Sequence, residues 1–187
     1  NDELNMRIIA GEFRGRKINR PENEATRPTK DRIRESVFNI IASDVPGASV
    51  LDLYAGSGAY GLEALSRGAE SAVFVEHNPE AAAYIRENIG MLGLEDRSEL
   101  VVADAEEALN HINNKRFDII FADPPYNNDM ARKTLNMIGQ YDILNPLGLV
   151  ILEHHSEEAL PPEIEFFSCL KEKTYGETII SVYRRKQ

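Results

Sequence analysis

Cysteine is nearly absent from this chain of 187 residues. The single one, Cys169, excludes an internal disulfide framework and a cysteine-rich zinc site, and reads as a core residue. No apolar run approaches the length of a membrane span, and the N-terminal NDELNMRIIAG lacks the apolar stretch of a signal peptide. Internal repeats, low-complexity tracts and a second-domain boundary are missing too. The expectation left by these absences is a cytoplasmic protein of one domain without a membrane partner, long enough to bury a sizeable core. Residues 6–187 are expected to form that domain, with 6–29 as a basic arm and loop and 30–187 as the core. Residues 1–5 read as a tail or vector remnant ahead of Met6.

Basic residues are outnumbered, giving a net charge of −10 at pH 7. Their placement is uneven. From Met6 to Arg34, nine of them (Arg7, Arg14, Arg16, Lys17, Arg20, Arg27, Lys30, Arg32, Arg34) meet four acids, a local +5 that leaves −15 for the rest of the chain. Both a polyanion-facing arm on an acidic body and a solvated charged surface fit this asymmetry.

MRIIAGEFRGRKI contains two short β-like runs punctuated by Gly11 and Gly15, the pattern of a hairpin arm. RPENEATRPT is polar and proline-bearing and is expected to be extended. DRIRESVFNIIAS then places Ile33, Val37, Phe38, Ile40 and Ile41 on one side of a helix. From Ala48 the pattern is regular: SVLDL, SAVFVE, ELVVAD, FDIIFAD and GLVILEH are β-branched-rich runs separated by helical segments. Asn78-Pro79 has the form of a helix N-cap followed by proline at the first helical position. Such alternation predicts an α/β fold, a mostly parallel sheet with helices on both faces. The segment from Glu163 to Lys186 has two strand-like runs around Tyr175-Gly176 and no helix, which predicts an antiparallel pair at the sheet edge.

Two strand tips carry chemistry. LDLYAGSGAYGLEA places Gly56-x-Gly58-x-x-Gly61 between strand and helix, and Glu76 ends the next strand. Glycines there allow a tight turn, and the acid suits ribose hydroxyls, so a nucleoside-containing ligand is expected. Asp52, four residues before Gly56, would repel a pyrophosphate and could instead receive an ammonium group. S-adenosylmethionine, with an ammonium group, a ribose and no phosphate, fits better than NAD. A nicotinamide-dependent oxidoreductase is the alternative in another enzyme class. Asp104, ending the third strand, could accept from an adenine amino group or cap the following helix.

The second tip is Asp123-Pro124-Pro125-Tyr126, after FDIIFA. Two prolines fix φ and donate no backbone N–H, while Asp123 adds acceptors. Acceptors without donors suit the exocyclic amine of a base, and Tyr126 offers a face on which the base can stack. A conjugated amine is a poor nucleophile; gripping its hydrogens favours the pyramidal form and raises its lone-pair density. Asp123 can also take the departing proton.

MRIIAGEFRGRKI, TRPTKDRIRESVFNII, LDLYAGSGAYGLEALSRGA, FVEHNPEA and FDIIFADPPY resemble, in order and spacing, the bacterial small-subunit (16S) ribosomal RNA guanine-N2 methyltransferases. The resemblance runs from Met6 to YGETIISVY. It implies a class I methyltransferase fold, Rossmann-like, with seven strands and the last antiparallel, and methyl transfer from S-adenosylmethionine to a guanine N2 of 16S rRNA. By position, Asp52, Gly56, Gly58, Glu76 and Asp104 line the cofactor, with Ala55, Asn78 and Ala105 beside them. Asp123, Pro124, Pro125 and Tyr126 hold a flipped guanine. Arg27 and Thr29 border the active site, and Arg14, Arg16, Lys17, Lys30 and Arg32 face RNA. Lys30, Arg32 and Arg34 reach phosphates or pair with Asp31 and Glu35. Tyr54 and Tyr60 depart from the phenylalanine and leucine expected there, which bears on the shape of the cofactor pocket. The implied partner is 16S rRNA, naked or in an assembly particle, bound by a monomer. The tetrad alone also fits amino-methylation of DNA adenine or protein glutamine. His77 reads as a surface residue, His154 and His155 as structural, and no metal is expected.

Overall fold

The β-branched runs and amphipathic segments become a sheet with helices on both faces in a computed structural model that describes residues 6–21, 28–126 and 129–187. An antiparallel two-residue pair comes first, β1 (Met6–Arg7) and β2 (Lys17–Ile18). There follow α1 (Pro28–Ile40), β3 (Ser49–Leu53), α2 (Ala59–Ser66), β4 (Ser71–Glu76), α3 (Pro79–Met91) and β5 (Ser98–Val102). The chain continues through α4 (Ala105–His111), β6 (Phe117–Ala122), α5 (Met130–Tyr141), β7 (Leu144–His155), β8 (Glu163–Ile164), β9 (Phe167–Tyr175) and β10 (Thr178–Arg185). Among the described residues, no helix is long and apolar enough to cross a membrane.

The main sheet runs β5-β4-β3-β6-β7-β10-β9-β8. Its first five strands are parallel, and β10 lies antiparallel between β7 and β9. Chain order reverses at β3, with β4 and β5 on one side and β6 and β7 on the other. The carboxyl edge at such a reversal is where open α/β sheets bind ligands. The sheet has eight strands where seven were expected, because Glu163–Ile164 pairs with the start of β9 and adds a two-residue edge strand.

Successive side chains of a strand point to opposite faces. Val50, Phe74, Ile119, Phe121 and Ile151 pack with Ile33, Val37 and Phe38 of α1, Leu62 of α2 and Ile85 of α3. Leu51, Leu53, Val75, Ile120 and Val150 face the other way, onto Leu109 of α4 and Leu135 and Ile138 of α5. Ile40, expected on the buried side of α1, is only half-buried. Cys169 is half-buried rather than in the core, because β9 runs out beyond the helix-covered part of the sheet; only Phe167 of that strand is buried.

The N-terminal hairpin docks on the body instead of projecting as an arm. Glu63 of α2, with no exposed surface, accepts from Ile9 N at 2.8 Å, Ala10 N at 3.1 Å and Arg67 Nε at 2.8 Å. Ser66 adds a second clamp: its Oγ accepts from Phe13 N at 3.0 Å and its carbonyl from Glu12 N at 2.8 Å. Asn88 of α3 holds the far end, exchanging two 2.8 Å bonds with the backbone of Asn19. Of the two readings open for the basic residues of α1, Arg34 takes the ion-pair one, lying 3.8 Å from Asp31. It is buried, donates to Arg7 O at 2.7 Å and lies 3.8 Å from Glu63, because its helix turn faces the hairpin and not solvent. Removing one partner of such a buried ion pair strands the other charge, which costs about 3–5 kcal/mol. Glu63→Ala is therefore expected to destabilise the fold by that amount, read as a lowered urea midpoint. An unchanged midpoint would show that the hairpin is not held through Glu63.

Candidate active site

Four acids stand at the carboxyl edge on one face of the sheet. Asp52 on β3 is in register with Phe74 on β4 and Phe121 on β6, and Phe121 with Ile151 on β7. Glu76, Asp123 and Glu153 each follow their strand's reference residue by two. With a side-chain period of two, all four point to the face covered by α1, α2 and α3.

The turn from β3 into α2 is built by backbone conformation. Gly58 caps the helix with φ +85°, a left-handed value that suits glycine. Gly61 is required for closeness: a Cβ there would come within 2.3 Å of the Phe74 ring. That approach lets Gly61 N donate to Asp52 Oδ2 at 2.9 Å. Glu76 braces the turn from the next strand, its Oε1 accepting from Gly56 N and its Oε2 from Asn78 N, each at 2.8 Å. Ala55 N donates to Val75 O at 2.9 Å, which stitches the same two tips. Asn78 Oδ1 caps α3 through Glu80 N at 2.9 Å. Asp104 caps α4 through Glu107 N at 2.9 Å, the second of the two readings open for it, with Ala105 opening the helix. The eight residues expected around a cofactor thus gather at three adjacent strand tips. Their acids repel phosphate and attract an ammonium group and ribose hydroxyls, so the donor set fits S-adenosylmethionine. His77 is exposed beside Glu76, at 3.2 Å.

Burial dominates the electrostatics. It pushes the Asp52 carboxyl up to about 8, against the lowering effect of the Gly61 N–H and with a smaller push from Glu76. Asp123 is raised well above the carboxylate range, first by burial and then by the charge of Glu153; Lys30 opposes both. Glu153 is raised by burial, with Lys30, Tyr126 and Tyr60 acting the other way. Two acids sharing such a site resist ionising together.

The tetrad leaves β6 directly. Pro124 is buried, Pro125 exposed, and Tyr126 half exposed at 50%. Tyr126 Oη donates to Glu153 Oε1, and Tyr60 Oη to Glu153 Oε2, each at 3.5 Å, the outer limit of a hydrogen bond. Tyr60 stacks on Phe121, centroids 5.1 Å apart, and on Phe38 at 6.1 Å. From the glycine turn it thus reaches the acceptor side of the crevice, and it lies near Asp52 as well as Asp123 and Glu153. The ring of His155 lies 5.8 Å from that of Tyr126. His154 is buried between Glu158 O and Ser181 Oγ, both at 2.8 Å, a structural role.

Glu153 and Tyr60 were missed as site residues. Glu153 carries the same sequence signal as Asp123, an acid where a buried strand reaches the ligand edge, with a histidine pair directly after it. Of the residues expected to face RNA, Arg14, Arg16, Lys17, Lys30 and Arg32 are exposed, and Arg16 also donates to Met91 O at 2.9 Å. Arg27 lies outside the described residues, and for Thr29 only its place in α1 is described.

The strand order and the glycine turn beside an acid-Pro-Pro-Tyr tip define a class I methyltransferase fold. Residues 6–184 match the family described as Conserved hypothetical protein 95, and the chain belongs to it. The chain is 37% identical to YlbH of Bacillus subtilis (strain 168) over 184 residues, 97% of this chain and 100% of the relative. It is 34% identical to Ribosomal RNA small subunit methyltransferase D of Escherichia coli (strain K12) over 181 residues, covering 97% and 90% of the two chains. The solved structure of yhhF from Escherichia coli superposes with a TM-score of 0.88 at 34% identity, over 97% of this chain and 98% of that one.

The raised Asp52 carboxyl has a measurable consequence. Its folded value of about 8 exceeds the ordinary carboxylate value, so between about pH 4 and 8 the unfolded chain sheds this proton while the folded one keeps it. Stability therefore falls as pH rises through that window. Asp52→Asn keeps an acceptor for Gly61 N and lacks the titration. Its stability relative to wild type is expected to improve steadily from pH 4 to 8, by a few kcal/mol on the order set by such shifts. Parallel urea-stability curves for the two proteins would rule out a buried, proton-holding Asp52.

Proposed function

We propose that the protein transfers a methyl group from S-adenosylmethionine to the exocyclic N2 amine of a guanine in small-subunit (16S) ribosomal RNA. The observation that carries this reading is the tetrad at the tip of β6, the strand that pairs directly with β3, whose end leads into the glycine turn. Relatives named as small-subunit ribosomal RNA methyltransferases support the substrate class.

Asp52 gives up its proton as the ammonium group arrives and pairs with it, Glu76 accepts from the ribose hydroxyls, and Asp104 and Ala105 flank the adenine. The bound cofactor supplies an activated methyl carbon. Asp123 accepts one N–H of the guanine amine and the rigid Pro124-Pro125 corner presents backbone acceptors for the other, which concentrates the nitrogen lone pair toward the β3 tip. As the new bond forms the amine must lose a proton. Asp123 takes it in its ionised form, which the Lys30 charge favours against burial and Glu153. Tyr126 stacks on the base, which must leave its helix to reach so recessed a corner. Arg14, Arg16 and Lys17, exposed along the docked hairpin, with Lys30 and Arg32 on α1, contact phosphates and set the register of the RNA. The protein acts as a monomer.

The direct test incubates the protein and labelled S-adenosylmethionine with ribosomal RNA, small-subunit particles, DNA or total protein, and maps the labelled group. Label on guanine N2 of the small-subunit RNA is expected; label confined to adenine or glutamine refutes the assignment. Asp123→Ala is expected to lower transfer at least about a hundredfold, as loss of a general base does, with cofactor affinity nearly unchanged. Transfer at the wild-type rate would remove Asp123 from the chemistry. Reversing the charges of Arg14, Arg16 and Lys17 together is expected to weaken RNA binding and flatten its salt dependence, by roughly 0.7–0.9 in the log–log slope per lost phosphate contact. An unchanged slope would take the hairpin out of the RNA interface.

A further inference from the structure

We infer that Glu153 selects guanine over adenine, accepting the ring N1–H of the base whose N2 amine Asp123 holds. This rests on the guanine-N2 reading above, which uses Glu153 only for its charge beside Asp123, and gives that residue a contact of its own with the base.

Placement comes first. Ala122, the last residue of β6, is in register with Leu152 of β7, so Asp123, just past the end of β6, and Glu153 of β7 come next at adjacent tips, where Asp123 feels the charge of Glu153. Neighbouring strands are about 4.8 Å apart, which sets two carboxyls side by side. The Watson–Crick edge of guanine presents two adjacent donor groups, N1–H and the N2 amine. Adenine presents one amine and a bare ring nitrogen that only accepts. Paired acceptors match the guanine edge donor for acceptor. Against adenine, the second carboxylate would meet a lone pair.

Burial makes that mismatch expensive. Glu153 is only 6% exposed, so water cannot readily repair a missing partner, and selectivity follows from the group left unpaired. Its orientation is held. Tyr60, packed against both Phe121 and Phe38, donates to Oε2, which leaves Oε1 toward Tyr126. The Tyr126 hydroxyl reaches Oε1 at 3.5 Å from a half-exposed ring. A base seated against Tyr126 brings its N1–H to that oxygen and replaces a long bond with a short, charge-assisted one. Burial raises the Glu153 carboxyl and Lys30 opposes that rise, and an N1–H seated on Oε1 favours the ionised form further.

The test uses 2-aminopurine, which keeps the amine at position 2 but has a bare N1. RNA carrying guanine or 2-aminopurine at the mapped target is compared by kcat/KM in wild type and Glu153→Gln. Wild type is expected to prefer guanine at least about tenfold, the discrimination of one buried hydrogen bond. The glutamine amide can donate to a bare N1, so the variant should narrow that preference tenfold or invert it. A variant slowed equally on both substrates has lost only structure, and that result overturns the inference. So does a wild-type ratio near one, which needs no folded variant. Wild-type protein that leaves guanine N2 unmethylated defeats instead the functional reading beneath it.

Discussion

A parallel sheet can bring four acids together only if each sits at the same phase of its strand. Asp52, Glu76, Asp123 and Glu153 do, and the rest of the site depends on this phase. Shifting any of these strands by one residue would turn its acid toward α4 and α5 and put an apolar side chain in the crevice. Grouping acids at a buried edge is unfavourable in itself, as the raised Asp52, Asp123 and Glu153 carboxyls register. The fold offsets this with local donors. Backbone N–H groups serve Asp52 and Glu76, two tyrosine hydroxyls serve Glu153, and the Lys30 charge reaches the pair at the β6 and β7 tips. What results is an edge poor in donors and rich in acceptors, suited to amines, hydroxyls and a cation, and hostile to phosphate.

Helix α2 joins this edge to the basic hairpin. Its Gly61 N holds Asp52, and two residues later Glu63 holds the backbone of Ile9 and Ala10. Ser66, near its last turn, grips the hairpin again. The glycine turn and the basic hairpin are thus positioned by opposite sides of one eight-residue helix. This explains a buried glutamate in a helix otherwise filled with small and apolar residues. Docking also changes what the charge asymmetry means: part of the N-terminal positive charge is spent inside the protein, on Arg34, and the part on Arg14, Arg16 and Lys17 remains at the surface.

The two proposed roles at the acceptor corner follow from the same geometry. Asp123 and Glu153 differ in which strand carries them and in what surrounds them. One is joined to a proline pair that cannot donate, the other is framed by two hydroxyls. An amine with hydrogens to give and a proton to lose matches the first, and a ring N–H matches the second.

Local order along the chain was enough to read the strand–helix alternation, the glycine turn, the N-cap at Asn78 and the acid-Pro-Pro-Tyr tip, since each depends on neighbours within a few residues. The helices α2 to α5 fall where periodicity placed them, and the residues expected around the cofactor converge. Three things were out of reach for one physical reason: they are contacts between segments far apart in the chain. Arg34 carries the same charge as Lys30 and Arg32, and only the packing of the hairpin onto α1 and α2 makes it an internal ligand of Arg7 O. Tyr60 stands in the glycine turn, yet its hydroxyl reaches a strand ninety-three residues away. Glu153 ends a buried strand like any other acid until register sets it beside Asp123. Composition and spacing specify which groups are available; strand pairing and burial specify which of them meet, and how strongly each is perturbed.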